Sequence, residues 1–255
     1  MSKIQWTDQT WNPTVGCSRV SAGCDHCYAI TVAARQMQPA HVGLTERRDG
    51  RTDWTGEVRA MPDRLADPLR WRKPRRVFVD SMSDLFHENV ADSYLAQVFG
   101  VMAQCPQHTF QVLTKRSLRM ANIAARLFDP PAPNIWLGVS VEDDRYARIR
   151  TPHLLRTPAA VRFLSVEPMV GEVDLVPYLD QGIGWVIVGG ESGPGARPMR
   201  LEWAKRVVAD CVNAGVPVFV KQLGSVFARE YETQDRKAGD PVDWPELLQR
   251  REFPL

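Results

Sequence analysis

The chain has 255 residues, 44% hydrophobic and 24% charged, with a formal net charge of +2 at pH 7. That is the profile of a soluble globular protein, within reach of one large α/β domain or two small ones, and the charge is too small to indicate a nucleic-acid partner by itself. No apolar run approaches membrane-spanning length, and MSKIQWTDQT lacks the apolar core of a signal peptide, so a cytoplasmic protein with no membrane partner is expected. There, five cysteines favour metal binding or free thiols over a disulfide framework.

In chain order, Trp11 to Gly16 reads as a short strand entering a cysteine loop, with Pro13 restricting it to an edge or a strand end. Ala29 to Gln36 reads as a helix that stops before Pro39. Residues 37–55 read as an insertion or loop, and Glu57 to Met61 as a brief second strand. A helix is expected over Asp63 to Arg72, with Leu65 and Leu69 on one face. Six apolar runs then follow, at Val77–Val79, Phe110–Leu113, Ile135–Val141, Val161–Val166, Trp185–Val188 and Val216–Val220, mostly too continuous for half-exposed strands. Helical patterns at Val90–Gln104, Ser117–Phe128, Arg145–Arg156 and Glu202–Asn213 separate them.

This alternation implies parallel right-handed crossovers in an α/β fold. Counting the two early strands gives eight, so a full or partial (β/α) barrel over residues 1–223 is the first expectation and a doubly wound open sheet the second. Residues 224–255, charged and broken by prolines, read as a C-terminal extension: a flap over a barrel mouth or a solvated tail.

In such a barrel the reactive groups stand where strands run into the following loops. Those points carry Asp80, Ser81, Ser83 and Asp84, then Thr114, Lys115 and Arg116, then Ser140 and Glu142. Further on come Glu167, the run Gly189-Gly190-Glu191-Ser192-Gly193, and Lys221 with Gln222. So many charges at the ends of apolar strands would be costly unless they paired or met a ligand. GGESGPG offers backbone amides to a carboxylate or phosphate, or is simply a glycine-rich turn.

The densest chemistry lies in WNPTVGCSRVSAGCDHCY, where Cys17, Cys24 and Cys27 are spaced Cx6CxxC. Three soft thiolates this close suggest an iron–sulfur cluster with one iron left open. A zinc site completed by His26, Cys105 or Cys211, a regulatory disulfide, and three uninvolved thiols are the alternatives. Cys105 and Cys211 read as small core hydrophobes.

Together with VFVDSMSDLF, FQVLTKR, WLGVSVE, RFLSVEP and WVIVGGESGPGARPM, that stretch resembles a phage- and bacteria-associated family of three-cysteine proteins with no firmly assigned substrate. The matches run from Trp11 to Gly224, with a weaker one near Trp244-Pro245. The family is similar to the radical S-adenosylmethionine superfamily, especially its spore-photoproduct-lyase-like branch. That superfamily usually spaces its cysteines Cx3CxxC and carries GGE after strand two, whereas here GGE lies near strand seven. The resemblance implies a radical-SAM-type (TIM-like) barrel, with Cys17, Cys24 and Cys27 holding a [4Fe–4S] cluster after strand one.

It further implies that S-adenosyl-L-methionine is cleaved to a 5′-deoxyadenosyl radical acting on an unknown substrate, with a protein electron donor. On that reading Lys115 or Arg116 pairs with the methionine carboxylate, and Ser81, Ser83, Ser140 and Glu142 meet the ribose or amino group. Gly189 and Gly190 join these as cofactor-binding positions, while Glu167, Glu191 and Lys221 face the substrate as catalytic groups. A nucleic-acid or nucleotide substrate is one expectation, a lyase, repair or modification reaction being implied. Arg35, Arg47, Arg48, Arg51, Arg70, Arg72, Lys73, Arg75 and Arg76 make the first third basic, with Trp54 and Trp71 interleaved. A solvated basic face is the bland alternative. A zinc-stabilised phage accessory or nucleic-acid-binding protein is the rival class, while a zinc hydrolase is disfavoured because no HxH or HExxH appears.

Overall fold

The six apolar runs all become strands of one seven-stranded sheet in the computed structural model, which describes residues 4–127 and 131–254. In chain order the strands are β1 (Gln9–Trp11), β2 (Thr14–Val15), β3 (Thr45–Arg48), β4 (Arg51–Trp54), β5 (Arg59–Ala60), β6 (Arg76–Val79), β7 (Thr109–Thr114), β8 (Ile135–Ser140), β9 (Val161–Val166), β10 (Trp185–Gly189) and β11 (Val218–Gln222). The helices are α1 (Tyr28–Ala34), α2 (Pro62–Leu65), α3 (Asp92–Ala103), α4 (Ser117–Leu127), α5 (Asp144–Leu155), α6 (Val176–Leu179), α7 (Leu201–Asn213) and α8 (Ser225–Glu230).

The sheet runs β1-β6-β7-β8-β9-β10-β11. Its strands follow one another in sequence, without the reversal of order that a doubly wound sheet needs. The expected second strand is not among them. Arg59–Ala60 instead pairs antiparallel with Thr14–Val15 as a separate two-residue ladder. Arg59 and Ala60 offer no apolar pair to bury, so tertiary pairing decides their place. Two other expectations need correction. The helix over Asp63–Arg72 is a four-residue turn followed by a 3₁₀ turn, Asp67–Arg70, because Pro68 removes the amide that would continue it. The insertion 37–55 contains a hairpin, β3 with β4, turning through Asp49 and Gly50 at positive φ. The end of the expected Ser117–Phe128 helix, Phe128, lies outside the described residues.

Two compact units divide the chain: residues 1–137 with 157–160, and residues 138–156 with 161–255. In the first, β1 and β7 flank β6 in parallel register, Trp11 opposite Val79 and Val79 opposite Val112. Val77, Val79, Phe110 and Val112 are fully buried there, as are Leu95, Val98 and Met102 of α3. Burial of each such side chain contributes about 1.5–3 kcal/mol. A smaller cluster of Val15, Ala29, Ile30, Ala33, Leu44, Trp54 and Met82 lies beneath the cysteine loop, with Cys17 and Cys27 packed on it.

In the second unit β10 lies between β9 and β11, Ile187 opposite Ser165 and Phe219. Gly138 is bare because a Cβ there would fall 2.5 Å from the Phe163 ring. The described residues after 223 are packed rather than loose. Trp244 and Leu248 are buried, and Phe219 forms an antiparallel bridge with Arg251. The Val220 amide donates to the Arg250 carbonyl at 2.8 Å, and the Trp185 indole N–H to the Glu252 carbonyl at 2.9 Å. Among the described residues no helix is long and apolar enough to cross a membrane.

Candidate metal centre

The approach to Cys17 is held by the loop that follows β6. The Asp80 amide donates to the Trp11 carbonyl at 2.8 Å, and the Asp80 carboxylate accepts from the Thr14 amide (3.0 Å) and hydroxyl (2.7 Å). Ser81 donates to Asn12 Oδ1 at 3.0 Å, Ser83 donates to the Gly16 carbonyl at 2.6 Å, and the Gly16 amide donates to the Met82 carbonyl. The hydroxyls of Ser81 and Ser83 therefore fasten the chain leading to Cys17. Gly16 sits at φ +91°, and a Cβ there would stand 2.1 Å from the Glu57 carbonyl oxygen, so no other residue fits.

Asp80 is fully buried at φ +59°, and burial, with the nearby Asp84 charge, pushes its carboxyl up to about 8 despite the Thr14 bonds. The native state thus keeps a proton that the unfolded chain gives up near pH 4. Asp80 accordingly removes stability as pH rises through that window, about 1.4 kcal/mol per pH unit until pH 8. Asp80→Asn keeps an acceptor for Thr14 and tolerates the left-handed backbone. Urea midpoints from pH 5 to pH 9 should fall more steeply for the parent than for this variant up to about pH 8. Parallel pH profiles would refute the buried proton.

Cys17, Cys24 and Cys27 are all free thiols and partly exposed, whereas Cys105 and Cys211 are buried. The three lie within electrostatic reach of one another: the negative charges of Cys24 and Cys27 each raise Cys17, and Cys24 raises Cys27. Burial pushes Cys17 up to about 12, Asp84 adds to this, and Arg116 opposes it. Burial also raises Cys27, against the Ala29 amide and the Lys115 cation. Arg19 braces the loop between them, its guanidinium donating to the Cys24 carbonyl (3.1 Å), Asp53 (2.7 Å) and Asp25 (3.2 Å).

Sequence reasoning missed how Arg116 ties this loop to the end of β7. Its guanidinium donates to Asp84 Oδ2 (3.2 Å), Glu88 Oε2 (3.1 Å), the Ser18 carbonyl (3.2 Å) and the Ser18 hydroxyl (2.7 Å), with Cys17 Sγ at 3.7 Å. Asp84 is further held by the Thr114 hydroxyl (2.6 Å) and by the amides of Phe86 (3.0 Å) and Lys115 (3.1 Å). His87 completes the group. Its Nδ1 accepts the Asn89 amide, so the neutral ring carries its proton on Nε2, 2.8 Å from the Ser18 hydroxyl. Burial first, then the Arg116 charge, keeps that imidazole neutral by lowering its pKa. The signal for Asp84 and His87 was their place just past β6; Ser18, beside Cys17, carried none.

Among the described residues no three His, Cys, Asp or Glu side chains form a group that could hold one metal ion. The loop does carry three sulfurs outside any disulfide, with a guanidinium N–H directed at Cys17 and the Lys115 cation near Cys27, a donor set of the soft kind that iron–sulfur clusters take. The raised pKa values of Cys17 and Cys27 mean that these two thiols are protonated when free, so that a metal bound through them would release their protons.

The other expected site residues stand in the second unit. Glu142 is fully buried and accepts from Arg150 at 3.0 and 3.1 Å, while the Ser140 carbonyl accepts from the same guanidinium at 2.8 Å. Glu167 and Lys221 form an ion pair at 2.5 Å. Glu191 accepts from the Arg197 guanidinium (2.6 and 3.0 Å) and amide (2.8 Å). A Cβ on Gly189 would meet the Glu167 side chain at 3.2 Å, and one on Gly190 the Leu223 carbonyl at 2.4 Å, so both glycines permit close packing here.

A family model described as "Protein of unknown function (DUF5131)" matches residues 1–246. No curated protein and no solved structure matches the chain.

Proposed function

The chain belongs to the DUF5131 family, whose description brings no activity with it, and from that premise we propose that its cysteine loop is the cofactor site of a radical S-adenosylmethionine enzyme. Cys17, Cys24 and Cys27 would hold a [4Fe–4S] cluster with one iron open. When bound, such a cluster supplies the electron that splits the sulfonium bond of S-adenosylmethionine and yields a 5′-deoxyadenosyl radical. The single observation that carries the reading is the set of three free, partly exposed thiols in one braced loop, bordered by Arg116. The sequential order of seven strands supports it as that of an incomplete (β/α) barrel of this type.

The chain's own residues have separable tasks here. Asp80, Ser81 and Ser83 fix the backbone before Cys17, so the first sulfur is positioned before any cofactor arrives. The Arg116 N–H stabilises negative charge on the Cys17 sulfur, a contact of the kind that sets cluster potential. Arg116 is fully engaged by Asp84, Glu88, Ser18 and Cys17, so Lys115 is the cation that would meet a substrate carboxylate such as that of the methionine group.

Anaerobic reconstitution tests this directly. The parent should take up iron and sulfide and, once reduced, release deoxyadenosine; Cys24→Ala should lose both. Parent-rate deoxyadenosine from Cys24→Ala would end the proposal, as would stoichiometric zinc with no iron in the reconstituted parent.

A further inference from the structure

We propose that the loop of residues 70–76 is a docking site for single-stranded nucleic acid, separate from the cysteine loop and independent of the cluster. Its sequence RWRKPRR holds five cations and no acid. The loop links the 3₁₀ turn Asp67–Arg70 to β6, with Pro68 and Pro74 restricting its backbone. Arg70, Arg72 and Lys73 are exposed. Asp67 reaches Arg70 only at 4.0 Å and is shared with Arg64 at 3.7 Å. Arg72 and Lys73 have no ion-pair partner among the described residues.

An aromatic is fixed within this cation group. Trp71 is half-buried, with the Arg75 guanidinium 5.6 Å from its ring centroid and the His108 ring edge-on at 5.7 Å. Arg75 is itself held by Gln9 at 3.0 Å, and Arg76 by Asp8 at 3.2 Å, so the inner arginines brace the loop while Arg72 and Lys73 make no ion pair among the described residues. A basic segment with a rigid, partly exposed indole suits a strand whose phosphates and base faces are both accessible; a duplex hides its base faces in the stack.

The other arginine-rich segment provides the contrast. On the β3–β4 hairpin, Arg47, Arg48 and Arg51 are matched by Glu46, Asp49 and Asp53. Arg48 pairs with Glu46 at 2.6 Å, Asp53 with Arg19 at 2.7 Å, and Trp54 is in the core. Of these two segments, the 70–76 loop is the one with no acidic residue of its own. It enters β6 at one end, and Asp80 to Asp84, which secure the cysteine loop, leave at the other; four residues of strand put about 13 Å between them. The loop therefore anchors a chain rather than presenting its reacting atom.

Fluorescence anisotropy with the full chain and a labelled mixed-sequence single strand of about 20 nucleotides tests the assignment. Affinity should fall as salt rises from about 50 to 200 mM. Arg72→Glu with Lys73→Glu should weaken binding at least tenfold at the lower salt and flatten the log–log salt slope by roughly 0.7 per lost phosphate contact. Trp71→Leu should weaken it about tenfold with little change in slope. Arg47→Glu with Arg51→Glu should bind as the parent does. Thermal melts matching the parent would show that the exposed-residue variants are folded. No binding by the parent at low salt, parental binding by the folded 72/73 variant, or equal loss in the hairpin variant would overturn the site. Duplex bound as tightly as the single strand, with Trp71→Leu silent, would overturn the single-strand assignment. Displacement by polyglutamate at matched charge would do the same in favour of an acidic polypeptide.

Discussion

Arg116→Leu is expected to lower folding stability by about 3 kcal/mol and to abolish iron loading together. The side chains of Arg116 and Asp84 are 9% and 8% exposed, so removing the cation leaves a carboxylate with little water to solvate it. Thr114 and the amides of Phe86 and Lys115 still hold Asp84, which places the cost at the low end of the range for a broken buried pair. The loss at Cys17 is electrostatic. Without Arg116 the sulfur keeps the penalties of burial and of Asp84 and loses the charge that opposes them. Arg116→Lys separates the two effects. One ammonium cannot serve Asp84, Glu88, Ser18 and Cys17 at once, so much of the stability should return while iron content stays low. Urea midpoints with iron analysis give both readings, and a parental iron content in Arg116→Leu would detach this arginine from the metal centre.

For Arg150→Met the expected loss is larger, about 3–5 kcal/mol. Its side chain is 3% exposed and that of Glu142 0%, so the carboxylate loses its guanidinium partner with no exposure to water to replace it. The Tyr146 ring, 4.1 Å from the guanidinium carbon, would keep its apolar packing against methionine. Adding Glu142→Leu should recover most of the loss, since a buried ion pair replaced whole by apolar groups is often neutral or better. The urea midpoint of the second unit is the measurement, and a double variant no more stable than the single would show that the pair itself, rather than the stranded charge, carries the stability.

How much could be read without coordinates follows from what each element buries. VFV and WVIV are apolar throughout and FQVL is so but for Gln111, and all three are strands of the sheet. The short pairings were hidden: Thr14–Val15 and Arg59–Ala60 are joined by contacts between segments more than 40 residues apart, and neither carries an apolar run. Asp49-Gly50 was a visible hairpin cue, but the flanks TERR and RTDW lack the alternation that would have confirmed it. At the metal centre, spacing alone disclosed the three sulfurs. The link from Arg116 to Ser18 spans 98 residues, and no local pattern encodes it. Nor does a string of letters reveal that Ser81 and Ser83 turn toward Asn12 and Gly16, or that Glu142 is met by Arg150 eight positions on.

The C-terminal segment has a consequence for how the protein behaves among its own copies. The outermost strand of an open sheet presents a row of vacant amides and carbonyls that can recruit a strand from another molecule. On β11 the Val220 amide and the Val218 carbonyl are taken by Arg250 and Glu252, and the Phe253 ring lies 5.2 Å from that of Phe219. The protein thus fills that seat from within its own chain, which guards this margin against strand exchange and fibrillar stacking at high concentration.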